Sequence, residues 1–166
     1  MADPRIAYLV LDLAGTACAL PREAAAEILP LPELQAAPAS GGWLAGFVNL
    51  GGRPVPVIDL AGLLGLRSGP AEAGLYAHLV LAADRSVAWL ADRVTDLVTV
   101  PAPAHRPADP AVSLNGCVAA GLALGDRLVP ALDPERLLTE AERRRVEAQA
   151  RAAAERLSAL PDTMPV

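Results

Sequence analysis

The sequence predicts a mainly β protein of two small barrels with about five strands each, followed by one C-terminal helix. Three observations carry this. Short apolar runs are separated by tight glycine or aspartate turns, the grammar of successive hairpins. The pattern of Gly51–Leu64 returns 74 positions later without a gap. Only residues after Thr139 keep a long helical period. About five short strands per half is the count of a small closed barrel, which also hides its edges.

The elements follow in order. Residues Ile6–Leu13 alternate, with Leu9, Leu11 and Leu13 on one face, and predict a strand. Ala14-Gly15-Thr16 turns the chain and Ala17–Leu20 returns as a hairpin partner. Pro21 stands where a first helical turn tolerates proline, so Arg22–Leu29 is predicted as a short helix. Pro30, Pro32, Pro38 and Gly41-Gly42 predict a loop. Trp43–Asn49 and Arg53–Asp59 flank Gly51-Gly52, a pair that suits a two-residue turn needing positive φ twice. A helical turn over Leu60–Leu64 and a linker over Gly65–Ala73 end the first half.

The second half predicts a hairpin of His78–Ala83 and Ser86–Ala91 around Asp84-Arg85, then a β-branched strand over Val94–Val100. Four prolines within 101–110 predict a surface loop. Leu114–Leu124 and Arg127–Leu132 predict a last hairpin around Gly125-Asp126. In the 74-residue echo, Gly51 meets Gly125, Arg53 meets Arg127 and Val55-Pro56 meets Val129-Pro130. Ile58-Asp59 then meets Leu132-Asp133, and Leu63-Leu64 meets Leu137-Leu138. Coincidence on this scale predicts two structurally similar halves. Residues 1–138 are therefore expected to form the paired-barrel unit, 139–160 an amphipathic helix and 161–166 a flexible tail. Thr139 with Glu142 gives that helix a capping-box start, and Val146, Ala150, Ala153, Leu157 and Leu160 fall on one stripe. The stripe is expected to pack on a barrel, with weak self-association as the alternative.

Composition narrows the chemistry. The net charge is −5 and all fourteen basic residues are Arg. Without lysine there is no Schiff-base amine and no phosphate-loop ammonium. Two His and two Cys do not build a zinc ribbon, and five aromatics on an acidic chain argue against a nucleic-acid groove. Cys18 and Cys117 read as small buried hydrophobes that suit a reducing compartment. His78 reads as a strand-edge residue and His105 as a loop residue. Asp59 and Asp133 recur at equivalent strand ends, which favours helix capping over acid–base work. Arg143-Arg144-Arg145 reads as a solvated face, because residues 133–156 carry six acids and six Arg. Asp12 interrupts the N-terminal apolar run, so neither an export signal nor a membrane span is expected and the location is expected to be cytoplasmic. A barrel pair without an evident catalytic constellation acts through its surfaces; no enzyme activity, cofactor or metal is expected.

The residues also resemble a known family. Tyr8–Leu20, Glu27-Ile28, the run Gly46-Phe47-Val48-Asn49-Leu50-Gly51-Gly52-Arg53, and Val55-Pro56-Val57-Ile58-Asp59-Leu60 are similar to segments of the CheW-like domains of bacterial chemosensory arrays. Ala91-Asp92-Arg93-Val94 and Leu124-Gly125-Asp126-Arg127 continue the resemblance, which spans about residues 6–140. It implies two five-stranded SH3-like barrels and no catalysis. It implies a cytoplasmic adaptor joining the CheW-like regulatory domain of a CheA-type histidine kinase to the cytoplasmic tip of a methyl-accepting chemoreceptor. By position, Ala25, Glu27 and Ile28 would lie in the first helix region near partner surfaces. Asn49, Leu50, Gly51, Arg53 and Val55 would lie at a hairpin beside an inter-barrel groove. The family usually carries Arg-Gly where this chain has Gly51-Gly52, and Gly51 offers no charged donor. That departure keeps open a scaffold of a non-flagellar pathway, with pili or a second-messenger enzyme as output.

Overall fold

The computed structural model describes residues 5–35, 43–69, 74–107 and 116–159. Eleven strands are described: β1 (Arg5–Leu13), β2 (Thr16–Pro21), β3 (Ala25–Pro30), β4 (Leu44–Leu50), β5 (Arg53–Asp59), β6 (His78–Ala82), β7 (Ala88–Ala91), β8 (Arg93–Pro101), β9 (His105–Pro107), β10 (Val118–Leu124) and β11 (Arg127–Leu132). A single helical turn, α1 (Leu60–Leu63), follows β5, and α2 (Glu140–Ala159) closes the described chain. The strands form a six-stranded sheet, β8-β1-β2-β11-β10-β9, and a five-stranded sheet, β3-β6-β7-β5-β4. The fold is mainly β, as predicted, but one sheet has a sixth strand.

Two predicted elements take another form. The expected helix over Arg22–Leu29 is a 3-10 turn at Arg22–Ala24 followed by strand β3. Eight residues cannot sustain an isolated helix. As a strand the same residues pair with β6, Ile28 opposite Val80 and Leu29 opposite Leu79, and put Ala25 into the core. Within the proline-rich stretch 101–110, His105–Pro107 is strand β9, paired with Gly121 and its neighbours on β10. Proline is tolerated there because β9 is an edge strand. Residues 108–110 of the predicted loop lie outside the described residues, as do 36–42 of the earlier one.

The echo is real in three dimensions, but it does not divide the chain into consecutive halves. β4–β5 and β10–β11 are the equivalent hairpins, and Gly51 and Gly125 share φ near 64° at their turns. β5 pairs in parallel with β7, and β11 pairs in parallel with β2. The six-stranded sheet thus repeats the other with its chain order permuted, the β1–β2 hairpin coming from the N-terminus. Two separate barrels read along the sequence would strand β8–β11 without that hairpin.

Each sheet encloses its own apolar cluster. Val48, Val55, Val57, Leu79, Leu81 and Leu90 fill the five-stranded one. Tyr8, Val100, Leu122 and Val129 fill the other. The largest cluster joins the two, with Leu9, Leu11, Cys18 and Leu20 meeting Ile58, Trp89, Leu60, Leu132, Leu137 and Val146. Burying a side chain of this size contributes about 1.5–3 kcal/mol, so the shared cluster holds the two sheets together. α2 starts with the predicted capping box: Glu142 N donates to Thr139 Oγ1 at 3.1 Å, and Thr139 N donates to Glu142 Oε1 at 2.8 Å. It lies against β5, with Val146 buried and Ala150 and Ala153 packed on the joint core.

Candidate partner-binding site

The β4–β5 hairpin is built for a rigid, projecting tip. Gly51 and Gly52 take φ of 64° and 84°, the doubly positive turn that matches the twist of the flanking strands. Asn49 Oδ1 accepts from Gly52 N at 2.8 Å and holds the turn closed. Gly51 has open space where a side chain would stand. Asn49, Gly51 and Arg53 are exposed, while Leu50 is half-buried against the core of its sheet. Val55 is 2% exposed and faces the interior of that sheet, so its side chain supports the hairpin from within.

The second group of expected site residues lies on the opposite edge of the same sheet, because β3 and β4 are its two outer strands. Ala25 is buried, and Ile28 packs with Val94 against the joint core. Glu27 is exposed and faces Arg85 at 3.9 Å. An exposed pair of this kind holds a surface pattern more than it stabilises the fold. The fold therefore brings Asn49, Leu50, Gly51 and Arg53 together, and Ala25, Glu27 and Ile28 together, as two separate surfaces.

A salt-bridged clamp fixes the two sheets relative to one another. Arg67 Nη1 donates to both oxygens of Asp59, at 3.0 and 3.1 Å, and Nη2 donates to Asp92 Oδ1. Asp92 Oδ2 in turn accepts from Ala14 N, at the tip of the β1–β2 hairpin, at 2.9 Å. The clamp runs from the end of β5 through Arg67 to the other sheet. Its hydrogen bond to Asp92, more than any other cause, raises the Arg67 pKa above its ordinary value. This corrects the capping reading of Asp59, whose side chain caps nothing. The echoed Asp133 does cap, with Oδ1 accepting from Glu135 N at 3.0 Å. Gly62 leaves room for the buried carboxylate, since a Cβ there would meet Asp59 Oδ2 at 2.8 Å. Arg67 was invisible in the sequence because it falls in a glycine-rich linker; the two aspartates both lie in motifs of the family resemblance.

Further polar contacts tie the six-stranded sheet together. Tyr8 Oη meets His105 Nε2 at 3.1 Å, and His105 Nδ1 lies 3.1 Å from the Pro101 carbonyl. The carbonyl can only accept, so Nδ1 carries the proton and the tyrosine hydroxyl donates to Nε2. His105 is thus tied into the six-stranded sheet instead of hanging in a loop. Cys18 and Cys117 are buried free thiols. Burial, and the nearby Cys117, push the Cys18 thiol up to about 11. No helix among the described residues is long and apolar enough to cross a membrane.

Comparison with known proteins matches this architecture to a family. The model of the CheW-like domain matches residues 7–142. The fold is similar to that of the scaffolding protein TtCheW from Thermoanaerobacter tengcongensis, with a TM-score of 0.71 and 18% identity over 84% of this chain and 90% of that one. No curated protein matches the sequence. The match covers most of the chain, residues 7–142, and shows that the chain belongs to the CheW-like domain family.

Proposed function

We propose that this protein is a non-catalytic cytoplasmic adaptor that couples a CheA-type histidine kinase, through its CheW-like regulatory domain, to the cytoplasmic tip of a methyl-accepting chemoreceptor. The family match over nearly the whole paired-sheet body is the observation that carries the reading. The geometry supports it in two ways. Two partner surfaces stand on opposite edges of one sheet, Asn49–Arg53 at the hairpin and Ala25–Ile28 on β3. The joint core and the Asp59–Arg67–Asp92 clamp tie that sheet to its neighbour. An adaptor of this kind works by holding two partners at once in a fixed relation.

The test is a calorimetric titration against the CheW-like regulatory domain of each histidine kinase encoded in the same genome. Micromolar binding to one of them is expected. Absence of binding by folded protein to every one refutes the coupling role. Gly51 favours a second reading, a scaffold of a non-flagellar chemosensory pathway, because position 51 itself offers no side chain for a receptor or kinase to grip. The kinase that binds, and the output domain encoded beside it, decides between the two.

A further inference from the structure

The six-stranded sheet has one long outer strand. β8 runs for 9 residues and, among the described residues, pairs with β1 alone. The register says which of its backbone groups point away from the sheet. Leu13 and Thr16 are the hydrogen-bonded pair next to the two-residue Ala14-Gly15 turn, so Leu13, Leu11 and Leu9 turn their N–H and C=O groups to β2. Tyr8 and Val10 therefore turn theirs to β8, where they stand opposite Val98 and Asp96. Leu97, opposite Leu9, falls in a non-hydrogen-bonded pair and aims its N–H and C=O outward, as does Thr99 opposite Ala7.

An edge of this kind is a template for another strand. Leu97-Val98-Thr99-Val100 carries no charge and is rich in β-branched residues, and Leu97 is 56% exposed. Yet the outward donors are mostly spent. Asp96 Oδ1 accepts from Leu97 N at 2.8 Å. Pro101 has no N–H to give. Near the start of the strand, Val94 N donates to His78 Nδ1 at 3.5 Å. Between them the register slips, leaving Thr95 out of the ladder, and Thr95 Oγ1 donates to Val10 O at 3.1 Å. Among the described residues, Thr99 is the outward donor of the uncharged stretch that stays open.

We propose that Asp96 guards this edge, and that without its side chain β8 pairs with the β8 of a second copy. The strand is self-complementary about Val98. An antiparallel two-fold pairing centred there sets Leu97 of each copy opposite Thr99 of the other, and these are the residues whose N–H and C=O groups face outward. The same register sets Asp96 opposite Val100, so no like charges meet. Each incoming Thr99 carbonyl must lie where Asp96 Oδ1 now sits, so acceptor meets acceptor and the short ladder loses its bonds at Leu97. What guards the edge is the oxygen on residue 96 and its bond to Leu97 N, not the charge. The proposal involves neither kinase nor receptor and stands apart from the adaptor reading.

The test is sedimentation velocity of the full chain from micromolar to millimolar concentration, with amide exchange read in ¹H–¹⁵N spectra. Asp96→Ala is expected to self-associate at least about tenfold more tightly than the parent, with the Leu97 and Thr99 amides newly protected. Asp96→Asn keeps an oxygen that can accept from Leu97 N and is expected to sediment like the parent. Asp96 is exposed, so both substitutions leave the apolar clusters untouched. Parent-like sedimentation of Asp96→Ala overturns the proposal. So does equal association of Asp96→Asn and Asp96→Ala, because the charge would then be the guard. Association that leaves Leu97 and Thr99 unprotected puts the contact on another surface and overturns it as well.

Discussion

Removing Arg67 should separate the two sheets energetically without touching either apolar core. In the Arg67→Ala variant, Asp59 keeps its place at 2% exposure and loses both charge-assisted bonds. Deleting one partner of a buried ion pair costs about 3–5 kcal/mol, because the other charge stays buried and unpaired. Arg67 itself is 17% exposed and Asp92 34%, so water reaches part of the network. A loss near the lower end, about 3 kcal/mol, is therefore expected. For a chain of this length that lowers Tm by about 6–12 °C. Urea unfolding followed by circular dichroism measures it. The decisive comparison is Asp59→Asn in the Arg67→Ala background, which removes the orphaned charge and should recover about 1–2 kcal/mol. A loss below about 1 kcal/mol, the range of an exposed pair, would refute the clamp. So would a double variant no more stable than Arg67→Ala alone.

Four further outcomes are expected. Gly62→Ala drives a methyl into the Asp59 carboxylate and should cost about 1–3 kcal/mol, with less effect when Asp59 is already Asn; equal effects in both backgrounds would contradict the close approach. Val55→Asp should unfold the protein by placing a carboxylate in the sheet interior, whereas Arg53→Glu should leave the Tm within about 2 °C and weaken kinase binding. Tyr8→Phe should lose about 1 kcal/mol with the His105 bond, read by thermal melting. The Cys18 thiol titrates near 11 in the folded chain, above its ordinary value of 9.0, so the proton is held more tightly in the native state. Its contribution is complete below about pH 9 and fades as pH rises towards 11, by about 2 kcal/mol, and urea melts at pH 8 and 10.5 should show a smaller loss in Cys18→Ala.

Local signals were legible in the sequence wherever one interaction decided the outcome. Gly51-Gly52 fixed its turn because only residues free at positive φ close a two-residue hairpin, and Thr139 with Glu142 fixed the start of α2 for a similarly local reason. Pairing across the chain was not legible. The run Arg22–Leu29 has helix-forming residues, and nothing within it reveals that β6 offers an open edge that turns it into β3. The echo at 74 residues correctly matched hairpin to hairpin, yet could not say that β1–β2 would cross over to complete the far sheet. Asp59 and Asp133 look alike in sequence, and only one has an arginine brought to it by the fold. The candidate site was legible at the hairpin tip, by resemblance. Val55 shows the limit of position alone: it shares a strand face with exposed Arg53 two residues before it, yet lies buried in the apolar cluster with Val48 and Val57.

The central claim is that this chain joins a kinase to a receptor. Calorimetric titration of the intact protein against the CheW-like regulatory domain of each histidine kinase from its own genome tests that claim most directly. One kinase domain binding with micromolar affinity, weakened at least several-fold by Arg53→Glu in a variant that melts like the parent, is the predicted result. Folded protein that binds none of those domains would contradict the account.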